Sequence, residues 1–434
     1  MLSRRERYNE PMLKKVGKSF LCILLEAQAK RLRKRREFLI IAVAGSVGKT
    51  STKLAIARCL QTKERVIYQE GNYNDRLTVP LVLFGHEEPG IFNIFAWAKI
   101  LLANELSLTK SYPYDAAVLE IGTDAPGQLA AFSYLQPDLT VITAVAAEHM
   151  EYFHTLDAVA KEEMTPLQYS KRALLNVDDI AAQYLPGIEH ISYGEKPGAN
   201  YRLVSQYAQG LDGQFLDIKL ADHKELSLTV KTLGKQGAKI ILATVAIADM
   251  LGWSKEDIVA GADAINAVPG RMQILPGKHD SVLIDDTYNA SPVAVRAALD
   301  VLYETEAKQR IAILGSMNEL GATSEEEHRA VGAYCDPDKL SLVVTIGSEA
   351  KKGIAPVAHE KGCEVKSFLN PYDAGKFVAE KLHKDTVVLA KGSQNGVFAE
   401  EALKQLLADP SDAAKLVRQS DSWLRKKRQQ FPEI

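Results

Sequence analysis

Short apolar runs alternate with helix-length amphipathic patterns through most of the 434-residue chain. This order is typical of parallel α/β architecture, in which each buried strand is followed by a helix that crosses back over the sheet. In the first half of the chain the pattern predicts five strands: Phe38–Ala44, Arg65–Gln69, Ala116–Ile121, Leu139–Val145 and Ala173–Asn176.

The pattern changes between residues 188 and 231, where the stretches FLDIKLA and ELSLTVKTL alternate apolar and polar positions. Such alternation indicates half-buried antiparallel strands. Helices are predicted at Ala238–Leu251 and Ser254–Ala267, and the pair Pro269-Gly270 then breaks the pattern. A new strand–helix series follows, with the apolar runs SVLIDD, RIAILGS, LSLVVTIG, EVKSFL and DTVVLAKG.

These patterns predict an α/β fold in three parts. Residues 1–37 form a basic helical segment. Residues 38–268 form a central domain with a P-loop-type parallel sheet and an added antiparallel section. Residues 269–434 form a Rossmann-like α/β domain, whose charged tail after Pro410 is expected to be a terminal helix with frayed ends.

Charge is unevenly distributed along a chain of ordinary globular composition. The formal net charge of −2 argues against a surface built for nucleic acid. Residues 1–37, however, carry twelve Lys or Arg against four acidic residues, a balance of +8. Their apolar run, Phe20–Leu25, is too short to span a bilayer. We expect a basic helix that packs one apolar stripe on the protein body, with peripheral contact to a membrane or a partner as the alternative.

The four cysteines, Cys22, Cys59, Cys335 and Cys363, are scattered and form no CxxC pair. This spacing fits neither a zinc site nor a disulfide framework, and no cleavable secretory signal is apparent. The sequence therefore predicts a protein of the reducing cytoplasm.

The first strand leads directly into a glycine turn and then a helical pattern. In such a turn, successive N–H groups and the positive end of the helix dipole face an anion. Lys49 would neutralise phosphate charge, and the Thr50 hydroxyl would bind Mg²⁺. The usual P-loop has a glycine where Val43 stands, so this loop is of a less common kind. The predicted phosphate-binding residues are Gly45, Ser46, Val47, Gly48, Lys49, Thr50 and Ser51.

Further candidates follow neighbouring strands. Glu120 and His149 are expected at the sheet edge that carries Thr50, where a carboxylate and an imidazole could hold a metal ion. In the second half, Arg271 could reach phosphate, and Asp285 or Asp286 could bind a ribose hydroxyl. For each of these a structural role in a strand end or a turn remains open on spacing alone.

Together these blocks resemble the Mur ligase family of ATP-dependent amide-bond-forming enzymes. The family's phosphate loop is a short GxxGKT[ST] form, which Gly45 to Ser51 fit. The family's later blocks also occur in order between residues 38 and 408, as GNYNDRLTVPLVL, LEIGTDAPGQLA, EHMEYFHTLDAVAKEE, PGRMQI, IDDTYNASPVAVRAAL, ILGSMNELG and AKGSQNG.

The resemblance implies a reaction in which ATP phosphorylates a carboxylate, an amine attacks the acyl phosphate, and phosphate leaves. It implies that Thr50, Glu120 and His149 serve Mg²⁺, with Lys49 and His149 in catalysis. ATP contacts fall on the phosphate loop and on Asn72, Arg271, Asp285 and Asp286. Lys161 is the candidate for the carbamylated lysine of the family, with Glu162 or Glu163 as substitutes. The substrates implied are a muramoyl-peptide cell-wall precursor and D-alanyl-D-alanine, handled by a monomer.

Two departures from the family pattern keep other functions open. Only 37 residues precede the phosphate-loop domain, where the family carries a UDP-binding domain. The family's G.HN..N block reads GKQGAKI at residues 234–240. The alternatives are a ligase for another carboxylate, such as an amino acid, a polyglutamate or a cyanophycin-like chain, and a nucleotide-binding partner subunit that does not ligate.

Overall fold

The computed structural model describes residues 12–71, 73–187 and 189–431, and so leaves out Asn72 and the first eleven residues of the basic segment. The chain divides into two compact units. Unit 1 comprises Met1–Gln206, Leu216–Val230 and Lys239–Ile265, and unit 2 comprises Tyr207–Phe215, Lys231–Ala238 and Asn266–Ile434. Within the described ranges, no helix has the length and apolar character needed to cross a membrane.

The α/β class predicted from the pattern is confirmed. The strands are β1 Leu39–Ala44, β2 Val66–Tyr68, β3 Ala116–Glu120, β4 Leu139–Ile142, β5 Ala173–Asn176, β6 Ile191–Gly194, β7 Tyr201–Ala208, β8 Gln214–Lys219, β9 Glu225–Val230, β10 Gln273–Gly277, β11 Ser281–Asp286, β12 Gln309–Gly315, β13 Leu342–Ile346, β14 Val365–Phe368 and β15 Thr386–Lys391. The helices are α1 Met12–Arg35, α2 Lys49–Leu60, α3 Thr78–Leu83, α4 Ile94–Ser107, α5 Met150–Phe153, α6 Leu156–Glu163, α7 Gly234–Met250, α8 Lys255–Asp263, α9 Pro292–Glu304, α10 Ser324–Tyr334, α11 Ser348–Glu360, α12 Pro371–Ala379, α13 Glu400–Lys404 and α14 Asp421–Gln430. Short 3₁₀ turns complete the connections.

The first sheet has nine strands in the order β2-β3-β1-β4-β5-β6-β7-β8-β9. Its strands from β2 to β7 pair in parallel. β1 lies between β3 and β4 and reads LIIAVA without a polar residue, because a parallel strand covered on both faces buries every side chain. The strands β7, β8 and β9 follow one another through tight turns and form the added antiparallel section.

The second sheet has six strands in the order β10-β11-β15-β12-β13-β14, and only the β10–β11 pair is antiparallel. One face buries Ile284, Leu314 and Leu389, and the other buries Leu283, Ile313 and Val388. This alternation places β11, β12 and β15 at the centre of a two-faced core, with their carboxyl ends at a common edge. The sequence pattern gave no strand at β10.

The described part of the basic segment forms α1, which packs within unit 1. Along α1, Leu25, Ala29 and Leu32 are buried. Arg33 donates hydrogen bonds to Asp138 Oδ2 at 2.8 Å and to the Phe38 carbonyl at 2.6 Å, which fastens the helix beside the start of β1. The four cysteines are unbridged and buried, so they act as small apolar side chains.

Candidate active site

The phosphate loop, residues 45–51, joins β1 to α2 as the sequence predicts. Gly45 has φ of +117°, and a Cβ there would lie 2.5 Å from Thr143 Oγ1, so only glycine fits. Gly48 has φ of +87° and caps the N-terminus of α2. The Ser46 hydroxyl accepts a hydrogen bond from the Ala146 N–H at 3.1 Å. The two glycines and this bond give the loop a fixed shape at a helix N-terminus.

Carboxylates surround the phosphate-loop lysine. Lys49 Nζ donates to the Gly45 carbonyl at 2.5 Å and lies 3.4 Å from Glu148 Oε2. Glu163 Oε2 accepts the Gly45 N–H at 2.7 Å. Burial alone would lower the pKa of Lys49, but Glu148, Glu163 and Glu120 raise it above its usual range. The lysine is therefore a permanent cation at the point where a phosphate would bind.

Glu120, at the end of β3, is buried beside the loop. Its Oε1 atom accepts a hydrogen bond from Asn74 at 2.9 Å. Its Oε2 atom is buried without a hydrogen bond to any described residue, and the nearest cation is Lys53 Nζ at 3.7 Å. Lys53 is itself fully buried one turn after Lys49 and donates to the Gly71 carbonyl at 2.6 Å. A buried carboxylate oxygen with spare capacity is the kind of donor that Mg²⁺ uses.

His149 lies beside the same edge of the sheet. Its Nε2 atom is 3.6 Å from Glu148 Oε1 and 3.7 Å from Asp124 Oδ1. The residue has φ of +51° at the start of α5, a backbone conformation that non-glycine residues rarely adopt. Among the described residues, no three His, Cys, Asp or Glu side chains come close enough to hold a metal ion alone. A metal here would thus depend on ligands such as the Thr50 hydroxyl or substrate oxygens.

The structure separates Lys161 from its two acidic neighbours. Lys161 is exposed on α6, whereas Glu162 and Glu163 are buried. Glu162 accepts the backbone N–H groups of Gly127 and Leu129 at 2.6 and 2.7 Å, and Glu163 faces the phosphate loop. Asn72, the other predicted contact of unit 1, lies outside the described residues.

Three contacts of this site were not predicted from the sequence. Glu148 is adjacent to His149 in AEHME, and Asp124 follows β3 in the LEIGTD block, so position alone could have singled both out. Lys53 gave a weaker signal, because a lysine between Thr52 and Leu54 on a helix usually points to solvent.

In unit 2 the predicted residues gather at the carboxyl ends of β11 and β15. Asp286 Oδ2 accepts a hydrogen bond from the buried Lys391 Nζ at 2.6 Å. Burial lowers the pKa of Lys391, an effect that Asp286 opposes. Asp285 accepts the Gly270 N–H at 3.2 Å and the Thr287 hydroxyl at 2.5 Å, and burial raises its pKa to about 6. Asp285 thus holds the turn that precedes Arg271.

Arg271 is positioned by an aromatic ring. Its guanidinium carbon lies 4.4 Å from the centroid of the Tyr288 ring, and its Nε atom is buried without a hydrogen bond to a described residue. Arg418 donates to the carbonyls of Thr287 and Tyr288 at 2.6 and 2.9 Å and so fixes the backbone under that ring. A guanidinium group that packs one face on an aromatic ring can still donate hydrogen bonds from its N–H groups to a phosphate.

Arg418 belongs to a buried charge cluster that we call the C-terminal clasp: Glu400, Glu401, Arg418 and Lys427. Lys427 Nζ lies 2.9 Å from Glu400 Oε1 and 2.5 Å from Glu401 Oε1, and Arg418 pairs with Glu400 at 2.6 Å. Lys427 is fully buried in α14. The terminal helix predicted for the charged tail is therefore present, and its residue Lys427 has buried acidic partners.

The burial of Glu163 makes a testable prediction about stability. Burial raises its pKa to about 7 from 4.5, against the opposing effect of Lys49. An unfolded carboxyl releases its proton near pH 4.5 and the folded one near pH 7, so rising pH through this window lowers stability. In Glu163→Gln that loss is absent. We expect the variant to gain about 1–3 kcal/mol relative to the parent as pH rises from 4.5 to 8.

Chemical denaturation at a series of pH values measures this difference. The exposed Glu360→Gln is the matched control and should show no such trend. A stability difference between Glu163→Gln and the parent that stays constant across the window would contradict the prediction.

Comparison with protein families and known proteins agrees with this geometry. The Mur ligase middle domain matches residues 97–248. The glutamate ligase domain of the Mur ligases matches residues 270–394. The chain belongs to the Mur ligase family.

Individual Mur ligases are similar to most of the chain. UDP-N-acetylmuramoyl-tripeptide–D-alanyl-D-alanine ligase of Bacillus subtilis is 27% identical over 86% of this chain and 76% of its own length. The ligase of the same name from Haemophilus influenzae is 29% identical over 86% of this chain and 78% of its own.

Solved structures show the same fold. MurF from Acinetobacter baumannii superposes with a TM-score of 0.72 at 23% identity, over 88% of this chain and 79% of its own. MurF ligase from Thermotoga maritima in complex with ADP gives 0.70 at 21% identity, over 88% and 83%.

Proposed function

We propose that this chain is an ATP-dependent ligase that joins a carboxylate to an amine through an acyl phosphate. The observation that carries the proposal is the phosphate loop, a helix N-terminus shaped by two glycines, where the partly buried Lys49 lies near the carboxylate of Glu120. Family membership supplies the reaction class. In that reaction a carboxylate oxygen attacks the γ-phosphorus of ATP and displaces ADP. The amine nitrogen then attacks the acyl carbon, loses a proton, and displaces phosphate.

The charges of the loop suit this transfer. Negative charge spreads over the phosphoryl oxygens as they move, and fixed donors stabilise it without reorganising. Lys49 and the N–H groups of the loop supply those donors. We propose that Glu163 fixes the shape of the loop by accepting the Gly45 N–H. We also propose that Glu163 occupies the position beside the loop that was expected for Lys161, because Lys161 is exposed. Arg271 binds phosphate oxygens of the nucleotide. The ion pair of Asp286 and Lys391 fixes the ends of β11 and β15, where the nucleotide binds.

We further propose a Mg²⁺ ion held by the Thr50 hydroxyl and Glu120, with His149 beside it. The donor set fits, because Glu120 Oε2 is buried with no hydrogen bond to a described residue and Mg²⁺ takes few protein ligands beside phosphates. When bound, the ion would neutralise phosphate charge. The role of Lys53, whose Nζ atom lies 3.7 Å from Glu120 Oε2, is to hold the carboxylate in place beside the loop.

Replacement of Glu120 tests this assignment. In Glu120→Gln the Mg²⁺ concentration that gives half-maximal phosphate release should rise about tenfold or more, because one anionic ligand is lost. The exposed Glu70→Gln, close in sequence after β2, is the control and should leave the Mg²⁺ dependence unchanged. Equal Mg²⁺ dependence of the parent and Glu120→Gln would remove Glu120 from the metal site.

For the substrates we propose a UDP-linked muramoyl tripeptide as the carboxylate and D-alanyl-D-alanine as the amine, as the names of the relatives suggest. We assign phosphate transfer to a domain of residues 38–268 and nucleotide contacts to residues 269–434. We also propose that the protein works as a monomer in the cytoplasm, where ATP is present and its four free cysteines stay reduced.

A substrate panel with phosphate detection tests the function. Purified protein is given ATP, Mg²⁺ and each pairing of UDP-muramoyl tripeptide, free tripeptide or glutamate with D-alanyl-D-alanine or L-alanyl-L-alanine. We expect phosphate release only when a carboxylate and an amine substrate are both present, and most with the UDP-linked tripeptide and D-alanyl-D-alanine. Release that needs no amine would contradict ligation. Release with another pair would keep the ligase and replace the substrates.

A further inference from the structure

An exposed apolar surface lies on the helices α1 and α4 of unit 1 and includes none of the residues of the candidate active site. The two helices pack side by side. Gln28 donates hydrogen bonds to the Leu101 carbonyl at 2.9 Å and to Glu105 Oε1 at 2.8 Å, and it accepts one from Asn104 at 2.8 Å. Leu21 and Leu25 pack in one apolar cluster with Trp97. These contacts use one side of each helix and leave another side exposed.

The exposed sides carry large apolar residues at helical spacing. On α1 the spacing is i, i+4, i+7, and on α4 Phe95, Leu102 and Leu106 follow the spacing i, i+7, i+11, so each set lies along one face of its helix. Each of these side chains is more than half exposed, and Phe95 is 90% exposed. We call them the apolar surface: Val16, Phe20 and Ile23 of α1, Phe92 just before α4, and Ile94, Phe95, Leu102 and Leu106 of α4.

Soluble helices rarely leave such residues in water together, so a contiguous set marks an interaction site. Apolar side chains on the outer face of a helix can enter the interface of a lipid bilayer, which requires no complementary shape.

Positive charge continues the same faces. Along α1 the exposed stripe runs on into Lys30, Lys34 and Arg35, and α4 exposes Lys99 between Phe95 and Leu102. No acidic residue occupies these stripe positions, and Glu105 beside them is paired with Arg31. The segment 1–37 as a whole carries a balance of +8 in a chain of net charge −2. Apolar side chains bordered by Lys and Arg are the pattern of helices that lie on anionic lipid.

We propose that the apolar surface docks the protein on an anionic lipid bilayer. The phenylalanines and leucines enter the boundary between headgroups and acyl chains, and Lys30, Lys34, Arg35 and Lys99 contact the lipid phosphates. In this arrangement the two helices lie along the membrane plane. The reaction of the phosphate loop would then take place at the membrane surface.

Vesicle sedimentation with the full chain tests the proposal. One set of vesicles is phosphatidylcholine alone, and the other also contains phosphatidylglycerol. We expect binding to the anionic vesicles, weakened by added salt, and about tenfold or more weaker binding to phosphatidylcholine alone. Phe95→Ser should weaken anionic binding by about tenfold or more, because it removes a fully available apolar side chain. Lys30→Glu with Lys34→Glu should weaken it as strongly.

Leu369→Ser is the matched control, since Leu369 is a 60% exposed leucine of unit 2 and no member of the surface. It should bind vesicles like the parent, and all variants should keep amine-dependent phosphate release in solution. Three results would overturn the proposal: no vesicle binding by the parent, equal loss in Leu369→Ser and Phe95→Ser, or a dimer that Phe95→Ser dissociates without an effect on vesicles. The last would make a second copy of the chain the occupant.

Discussion

Lys49→Ala should lower amine-dependent phosphate release by about a thousandfold, with the fold retained. The lysine is the fixed cation of the phosphate loop, and removing one preorganised group that stabilises a transferring phosphoryl costs roughly 10²–10³ or more in rate. Its neighbours Glu148 and Glu163 would then face the phosphate without an intervening positive charge. Phosphate release measured with saturating ATP and both substrates tests the loss.

Two further variants make the test of Lys49 specific. Lys63→Ala removes an exposed lysine just after the same helix, and it should release phosphate at the parental rate. Lys49→Arg keeps the charge but not the compact ammonium group, and it should recover only part of the activity. Full activity in Lys49→Ala would refute the assignment of the phosphate loop.

Lys427→Met should destabilise unit 2 by about 3–5 kcal/mol, the usual cost of leaving buried charges without their partner. The substitution removes the cation that lies within 3 Å of both Glu400 and Glu401, while methionine fills a similar volume. Urea titration with hydrogen–deuterium exchange on β11 and β15 reports the stability of this unit separately. The exposed Arg425→Met, one half-turn away on α14, should change it by less than about 0.5 kcal/mol. A loss for Lys427→Met no larger than that for Arg425→Met would mean that the clasp contributes nothing.

The fold was predictable where the signal is local. A strand, a glycine turn and a helix are successive in sequence, and their hydrophobic periods identify the phosphate loop without reference to the rest of the chain. The strands β1, β3 and β5 were predicted for the same reason, since each is a short continuous apolar run between turns. In these elements, sequence order and spatial order agree.

The pairing of distant residues was not predictable. Gly45 and Glu163 are separated by 118 positions, and nothing in either neighbourhood indicates that one accepts the hydrogen bond of the other. Lys427 lies in a charged stretch whose sequence does not indicate burial, yet its side chain is buried and pairs with Glu400 and Glu401 in another helix. β10 was missed because QILPG contains a proline and a glycine, which an edge strand tolerates.

Asp285 shows the limit of a motif. The block IDDTYNASP places two acids at a strand end, and spacing treats them alike. The structure distinguishes them by their hydrogen bonds: Asp285 accepts from Gly270 and Thr287, and Asp286 accepts from Lys391. Which of two adjacent acids faces a ligand depends on the alternation of the strand and on partners elsewhere in the unit.

The lysine of the phosphate loop has the Gly45 carbonyl and Glu148 as its partners. A phosphate that binds Lys49 would displace Glu148, so nucleotide binding would exchange one anion for another at this lysine. The loss of the Lys49–Glu148 contact offsets part of the attraction between Lys49 and the phosphate. The affinity for ATP should therefore fall less steeply with ionic strength than the charge of ATP alone implies. Displacement from Lys49 would leave the Glu148 carboxylate beside His149 without its lysine partner. Phosphate binding would therefore change the charge around His149.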